Sequence, residues 1–394
     1  MTETLVLSNV RIWDGVRDDV DAGMDALAIA EGKVVFTGAA GDAPPGDVRD
    51  MAGATVIPGL IDAHVHLCLD PDEPDPMVHG KLPRDEQLAG MRRRAGAMVR
   101  AGITAARDLG GGQWLELVVR DEINRGETVG PHLRCSGQPI TSVGGHCHFW
   151  GGEANDTSSA LEVLARQSSH GVDLIKVMAT GGNITPGSKP IDSQFDEETL
   201  TAIVGAANDG GYPVAAHCHG TAGIGNAARA GVTTIEHCSW VGESGWHRDY
   251  DDGIVAEMAD RGTWVSPTIN AGWARFRGNE KFVALLNDNY ERMKAAGVRL
   301  IASTDAGIPR VYHDHLPLAL PEFAFFAGLS AVEVLRSATS DCATAIGLGA
   351  VTGRLASGYD ADVLVVDGDP LSDLGVLAHP VAVFARGREV ERGG

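Results

Sequence analysis

The chain has 394 residues, of which 44% are hydrophobic and 22% charged, and its formal net charge is -21. That length exceeds one average domain and fits a barrel of about 250 residues with a smaller companion. The acidic balance excludes nucleic acid and anionic membrane as partners, because both demand a positive surface, and no apolar run reaches the ~18 residues of a membrane span.

Met1-Thr2-Glu3-Thr4-Leu5 carries no basic n-region, so no secretory leader is expected. Residues 1–58 then read as short strands: Thr4–Leu7, Val10–Trp13, Ala26–Ile29, Lys33–Phe36 and Ala54–Ile57, separated by turn signals such as Asp14-Gly15 and Glu31-Gly32. The far end, 353–394, has the same character, with a turn and then a strand in Gly353–Pro370 and another over Pro380–Val390. Neither piece is long enough to bury a core alone, so the two are expected to pair into one small β-sandwich built from both chain termini.

Between them, residues 59–352 alternate strand and helix patterns. Strands are expected near 60–66, 103–108, 131–136, 173–178, 213–217, 232–237, 263–268 and 298–304, with amphipathic helical stretches such as Glu197–Ala207 between them. Eight such units define the fold class as α/β, a (β/α)8 TIM barrel whose active site lies at the C-terminal strand ends. A doubly wound sheet is the alternative, but no G-x-G-x-x-G follows the first strand.

The first barrel strand ends in His64-Val65-His66. Side chains at i and i+2 of a strand share a face, so both imidazoles can reach one ion. Two ordinary histidines at a strand end would look the same, so the pair must be judged by its partners. Candidates stand at the other strand ends: Lys176 on the fourth, His217 on the fifth, His237 after Glu236 on the sixth, and Asp305 on the eighth. Imidazoles and a carboxylate suit Zn²⁺ and similar ions. A buried lysine beside metals is a misfit, and a snorkelling or ion-paired lysine is the plain alternative.

With Gly59-Leu60-Ile61-Asp62 ahead of the first pair and Gly353-Arg354-Leu355 through Gly358-Tyr359-Asp360-Ala361-Asp362 near the end, this set resembles the amidohydrolase superfamily of metal-dependent hydrolases over essentially the whole chain. The resemblance implies two divalent ions, zinc first and manganese, cobalt or iron as substitutes. His64, His66 and Asp305 would hold one, His217 and His237 the other. Lys176, carboxylated by CO2 to a carbamate, would bridge them, which accounts for the misfit lysine. Two dications close together lower the pKa of a bridging water enough to supply hydroxide, and Asp305 is placed to pass its proton to the leaving amine. The expected reaction is hydrolysis of the C–N bond of a small amide: an N-acyl amino acid, a dipeptide or a relative of these.

The segments Lys176–Pro186 and Gly137–His146 are similar to those of the Xaa-Pro and Xaa-Arg dipeptidases, the ochratoxin-type amidases and the molinate and phenylurea hydrolases. That likeness implies that His146 contacts substrate. Many dipeptidase members have tyrosine two residues after the fifth-strand histidine, where this chain has His219, so carbamate or phenylurea cleavage stays as the alternative. A non-catalytic metal-binding barrel is the alternative of another class, although no ligand is missing.

His146, His219, His148 and His315 are the expected substrate contacts. Phe149, Trp150 and His313 share their loops, where a solvated side chain is the plain reading. Cys218 and Cys238 are one residue from ligand histidines, which turns them toward the outer helices as packing groups, while Cys147 is open. The six cysteines lack a C-x-x-C pair, which fits a reducing cytoplasm. The acidic, proline-rich Asp70–Pro76 is either a lid or a surface loop. A small-molecule substrate and a homo-oligomer complete the expectations.

Overall fold

A computed structural model describes residues 4–391; Met1–Glu3, where the leader reading begins, and the last three residues of the 353–394 piece lie outside it. Eight parallel strands form the barrel: Leu60–Val65, Ile103–Asp108, His132–Cys135, Ile175–Met178, Val214–Gly220, Thr234–Val241, Trp264–Ser266 and Arg299–Leu300. All but the third and the eighth are buried along their whole length, with both faces covered, so they read as largely apolar runs. Strands one to three pair as one sheet and four to eight as another. The Asp173 amide donates to the Cys135 carbonyl at 2.8 Å and Ile140 bridges Val177, which joins the third strand to the fourth. The Asp305 amide donates to the His64 carbonyl at 2.9 Å and Val65 bridges Ala306, which joins the eighth to the first.

Helices fill the crossovers, and acidic residues start several of them. Asp156, Asp196 and Asp251 each accept a backbone amide at the head of Thr157–Ser169, Glu197–Asp209 and Asp252–Arg261, satisfying donors that the helix itself leaves free. Gly59 opens the first strand where the backbone runs against the second: a Cβ there would lie 2.1 Å from Thr104 Oγ1. Among the described residues no helix is long and apolar enough to cross a membrane.

Two small sheets come from the chain ends. One pairs Leu5–Ser8 with Ala26–Ala30 and Asp47–Asp50, and Ala26–Ala30 with Lys33–Gly38. In the other, Val363–Val366 lies between Thr55–Pro58 and Pro380–Ala385, so strands from opposite ends of the chain are neighbours. Leu7, Leu27 and Val34 of the first and Ile12, Val56, Val363 and Phe384 of the second share one buried cluster. Asp47–Asp50 was not expected from sequence. Its residues, Asp-Val-Arg-Asp, carry no apolar alternation, and it is held by backbone pairing on the outer side of Leu5–Ser8.

Candidate active site

The histidine pair sits where the first barrel strand ends, positioned from beneath by Asp62. One carboxylate oxygen of Asp62 accepts the amides of His64 and Thr304, both at 3.1 Å, and the other accepts the Thr304 hydroxyl at 2.6 Å. This clamp between strands one and eight brings Asp305 to the histidines. His64 Nε2 lies 3.3 Å from His66 Nε2 and 3.3 Å from Asp305 Oδ1, and His66 Nε2 lies 3.5 Å from the same oxygen. Asp305 itself has φ +62°, a left-handed conformation uncommon outside glycine, and so does His237 at +67°.

The other groups converge on the same floor. Met178 pairs with His217 and Cys218 with His237 in the barrel register, which sets strands four, five and six side by side. His217, His219 and His237 offer nitrogen atoms within 4.8 Å of one another, as do His64, His237 and Asp305 with their nitrogen and oxygen atoms, and either group can hold a metal ion.

Each of the four expected ligand histidines has one ring nitrogen engaged. Nδ1 of His64 meets Glu236 Oε2 at 3.0 Å, Nδ1 of His66 the Gly110 carbonyl at 2.9 Å, and Nδ1 of His237 the Thr268 hydroxyl at 2.8 Å, while His217 uses Nε2 on the Gly181 carbonyl at 3.1 Å. A histidine held through one nitrogen is oriented to offer the other. Burial, then the Lys176 charge, lowers His64 to about 4; burial, then neighbouring imidazoles, holds His217 and His237 well below the ordinary histidine range. All three are therefore neutral donors at pH 7. Burial alone would raise the Asp305 carboxyl, but the facing His64 and His66 hold it below the usual carboxylate range, so it is ionised.

Lys176 is 1% exposed, and its ammonium has no hydrogen bond or ion pair among the described residues. Burial lowers its pKa, which favours a neutral amine. The snorkelling or ion-paired alternative does not describe it.

A cavity of about 530 Å³ opens above this floor. Its lining includes all six expected metal-site residues together with His146 and His219. His146 packs beside His217 with ring centroids 4.5 Å apart, and the Gly182 backbone passes so close that a Cβ there would lie 2.4 Å from the His146 ring. Nδ1 of His219 meets the Ser239 hydroxyl at 2.9 Å.

His148 and His315, expected at the substrate, do not line the cavity. His148 starts the 3-10 turn His148–Trp150, and it is Trp150 that packs on His66. His315 stands half-exposed at the head of helix Leu316–Ala327 beside Tyr312. His313 is buried beneath the site, its Nε2 3.1 Å from the His66 carbonyl. Cys218 and Cys238 lie in the main hydrophobic core, as packing groups should, and burial raises both thiols. Cys147, left open, is buried and lines the cavity. The Asp70–Pro76 segment is tied down by Arg94 on Asp70, the Tyr312 hydroxyl on Asp72 and the Arg310 amide on the Pro71 carbonyl.

Sequence reasoning assigned no role to Glu236 or Arg107. Glu236 is fully buried; Arg107 reaches it with one guanidinium nitrogen at 2.7 Å, Thr234 with another at 2.9 Å, and the Ala63 carbonyl with Nε at 2.7 Å. Burial works to raise the Glu236 carboxyl, yet Arg107 and His64 hold it low. The signal was present: Arg107 inside Ile103–Asp108 and Glu236 inside Thr234–Val241 are charges on barrel strands, and each must find a partner across the barrel.

The barrel and its floor of imidazoles, carboxylate and lysine define a hydrolase that works on carbon–nitrogen bonds, in a class that generally uses a metal centre. The chain belongs to the amidohydrolase family, which it matches over residues 55–390. An ochratoxinase from Aspergillus niger is 28% identical over 402 residues, covering 91% of this chain and 80% of that one. A Xaa-Pro dipeptidase with bound methionine in its active site superposes with a TM-score of 0.84 at 25% identity, covering 99% of this chain and 100% of that one. A prolidase complexed with N-methylphosphonate-L-proline gives 0.83 at 26%, with the same coverage.

Proposed function

We propose that the protein is a binuclear metal-dependent amidase acting on N-acyl amino acids, dipeptides or closely related small amides. The observation that carries this is the orientation of the histidines, each tied through one nitrogen while the other is left toward a shared centre. His64, His66 and Asp305 would hold one ion and His217 and His237 the second, with zinc the best match to nitrogen and carboxylate donors. Lys176 supports a bridging carbamate: it is buried and unpartnered among the described residues, burial shifts it toward the neutral amine that adds to CO2, and the resulting anion would answer two cations. Divalent ions in these positions supply Lewis acidity, which acidifies water and polarises a carbonyl oxygen.

The remaining work falls to the chain's own groups. Asp305, ionised and facing the histidines, takes a proton and returns it to the departing nitrogen, without which an amine is a poor leaving group. Glu236 and Arg107 hold His64 in its tautomer. His146 and His219, on the cavity wall, contact the substrate amide. The names of the ochratoxinase, the Xaa-Pro dipeptidase and the prolidase support an amide next to an amino acid as the substrate class.

We further read residues 59–352 as the catalytic barrel, with 1–58 and 353–394 pairing as one sandwich, which the shared cluster of the two small sheets supports. Six unpaired cysteines and the acidic surface support a cytoplasmic enzyme with a small-molecule substrate.

The test is elemental analysis of freshly purified protein, followed by a hydrolysis screen across N-acyl amino acids, dipeptides, carbamates and ureas with metal and bicarbonate supplied. About two equivalents of metal and turnover of the amides are expected. Turnover of carbamates or ureas alone would reject the amidase assignment, and bound metal without any turnover would favour a binding barrel.

A further inference from the structure

The outer part of the 530 Å³ cavity has a chemistry of its own. This chain is poor in aromatics, with seven Trp, nine Phe and five Tyr, or 5%. Four of them, Trp246, Trp273, Phe276 and Phe282, line this one cavity. They form a continuous wall that begins at the catalytic floor. The His219 ring meets Trp246 at 5.1 Å between centroids, His247 continues from Trp246 at 6.3 Å and reaches Phe282 at 5.7 Å, and Phe282 meets Phe276 at 5.5 Å. Trp273 packs against both Phe276 and Phe282 at 6.1 Å. Beyond His219, these residues follow the sixth and seventh barrel strands, so the wall stands on one side of the floor.

Arg275 sits at the outer end. Its guanidinium lies 4.4 Å from the Phe276 ring centroid, and one nitrogen donates to the Gly272 carbonyl at 2.9 Å. No carboxylate pairs with it among the described residues, although the chain carries 53 acidic residues. The one acid lining the cavity is Asp305, at the floor. A cationic substrate would therefore meet a positive rim with no counter-charge. An aryl group fits the wall, because offset and edge-on ring contacts reward flat aromatic surface, and an anion fits the fork of an unpaired guanidinium.

We propose that the substrate carries an aromatic ring bearing a carboxylate, with the ring laid along Trp246, Trp273 and Phe276 and the carboxylate paired to Arg275. This rests on the amidase reading only for where the scissile bond lies, and the wall and the arginine are tested without turnover. Binding of 3-phenylpropionate, 3-phenylpropionamide and hexanoate to the metal-loaded protein is followed by calorimetry and by tryptophan fluorescence. In the wild type, 3-phenylpropionate should bind about tenfold tighter than either of the others. Arg275→Ala should remove the advantage over the amide, leave 3-phenylpropionamide where it was, and be partly rescued by Arg275→Lys. Trp246→Ala, a change at a residue 42% exposed and so tolerated by the fold, should weaken both aromatic probes and spare hexanoate. Equal affinity for 3-phenylpropionate and hexanoate would overturn the wall. An Arg275→Ala protein that keeps full 3-phenylpropionate affinity would overturn the anion site, since a carboxylate held by the metals alone gives that result. Failure of the amidase reading shows up separately, as no turnover of any amide in the screen.

Discussion

Two clusters of histidine and aspartate stand at opposite ends of the same barrel, and they are built to opposite rules. At the C-terminal strand ends, His64, His66 and Asp305 crowd to within 3.5 Å of one another. At the other end, His132, where the third strand begins, meets Asp360 at 3.2 Å and Asp362 at 3.1 Å. Both ends have a donor set that can hold a cation, His64, His237 and Asp305 above and His132, Asp360 and Asp362 below. In the lower one every carboxylate oxygen already has a partner: Lys33 and His132 on Asp360, the Arg386 amide at 2.8 Å and the Thr352 hydroxyl at 2.7 Å on Asp362. That cluster is a latch between the barrel and the terminal sheets. In the upper one the Nε2 atoms of His64 and His66 meet each other and one oxygen of Asp305, inside an open cavity. Saturation, more than residue type, separates a structural cluster from a reactive one.

The contrast is broken most severely at Asp305. Asp305→Asn should lower kcat by about three orders of magnitude, with the melting temperature little changed; steady-state kinetics beside elemental analysis measures this, and retained turnover would remove the residue from proton transfer. Next comes Lys176→Ala, which should leave about one metal per chain in place of two and abolish any dependence of activity on bicarbonate. Metal content that does not change on this substitution would exclude the bridging role. Glu236→Gln, which weakens the hold on His64, should lower metal affinity about 10- to 100-fold in chelator competition. Unchanged affinity would make Glu236 a partner of Arg107 alone.

The smallest effect on activity belongs to the latch. Partial burial works to lower the His132 pKa, but Asp360 and Asp362 more than reverse this and raise it to about 9. A histidine whose folded pKa lies above its unfolded value of 6.5 stabilises the fold fully below pH 6.5, and that contribution fades as pH rises through 9. On the order of 3 kcal/mol is involved. His132→Gln should flatten denaturation midpoints between pH 6.5 and 9 while turnover at pH 7 stays near wild type. A slope that persists in the variant would place the titrating group elsewhere.

The barrel was legible because most of its strands are short apolar runs that alternate with helical stretches, and each expected barrel strand overlaps an observed one. The i, i+2 rule was enough to pair His64 with His66. Their second partners were not legible, because Glu236 and the Gly110 carbonyl approach from another strand and from a loop, and no local pattern names them. His148 and His315 were misplaced for a related reason: a loop histidine has no periodicity to say which way it faces. The aromatic wall escaped notice because its members are scattered between positions 246 and 282 and meet only once the loops after strands six and seven are folded.

The pairing of Thr55–Pro58 with Val363–Val366 also sets a timetable for making the protein. A ribosome adds ~5–20 residues per second, so the earlier strand waits roughly 15–60 s for the partner some 300 residues behind it. Asp305 and Ala306, which close the barrel against His64 and Val65, likewise emerge some 240 residues after them. An interrupted chain therefore has neither a closed barrel nor an assembled centre, and it leaves Val56 and Ile57, both fully buried in the finished fold, open to any other unpaired strand.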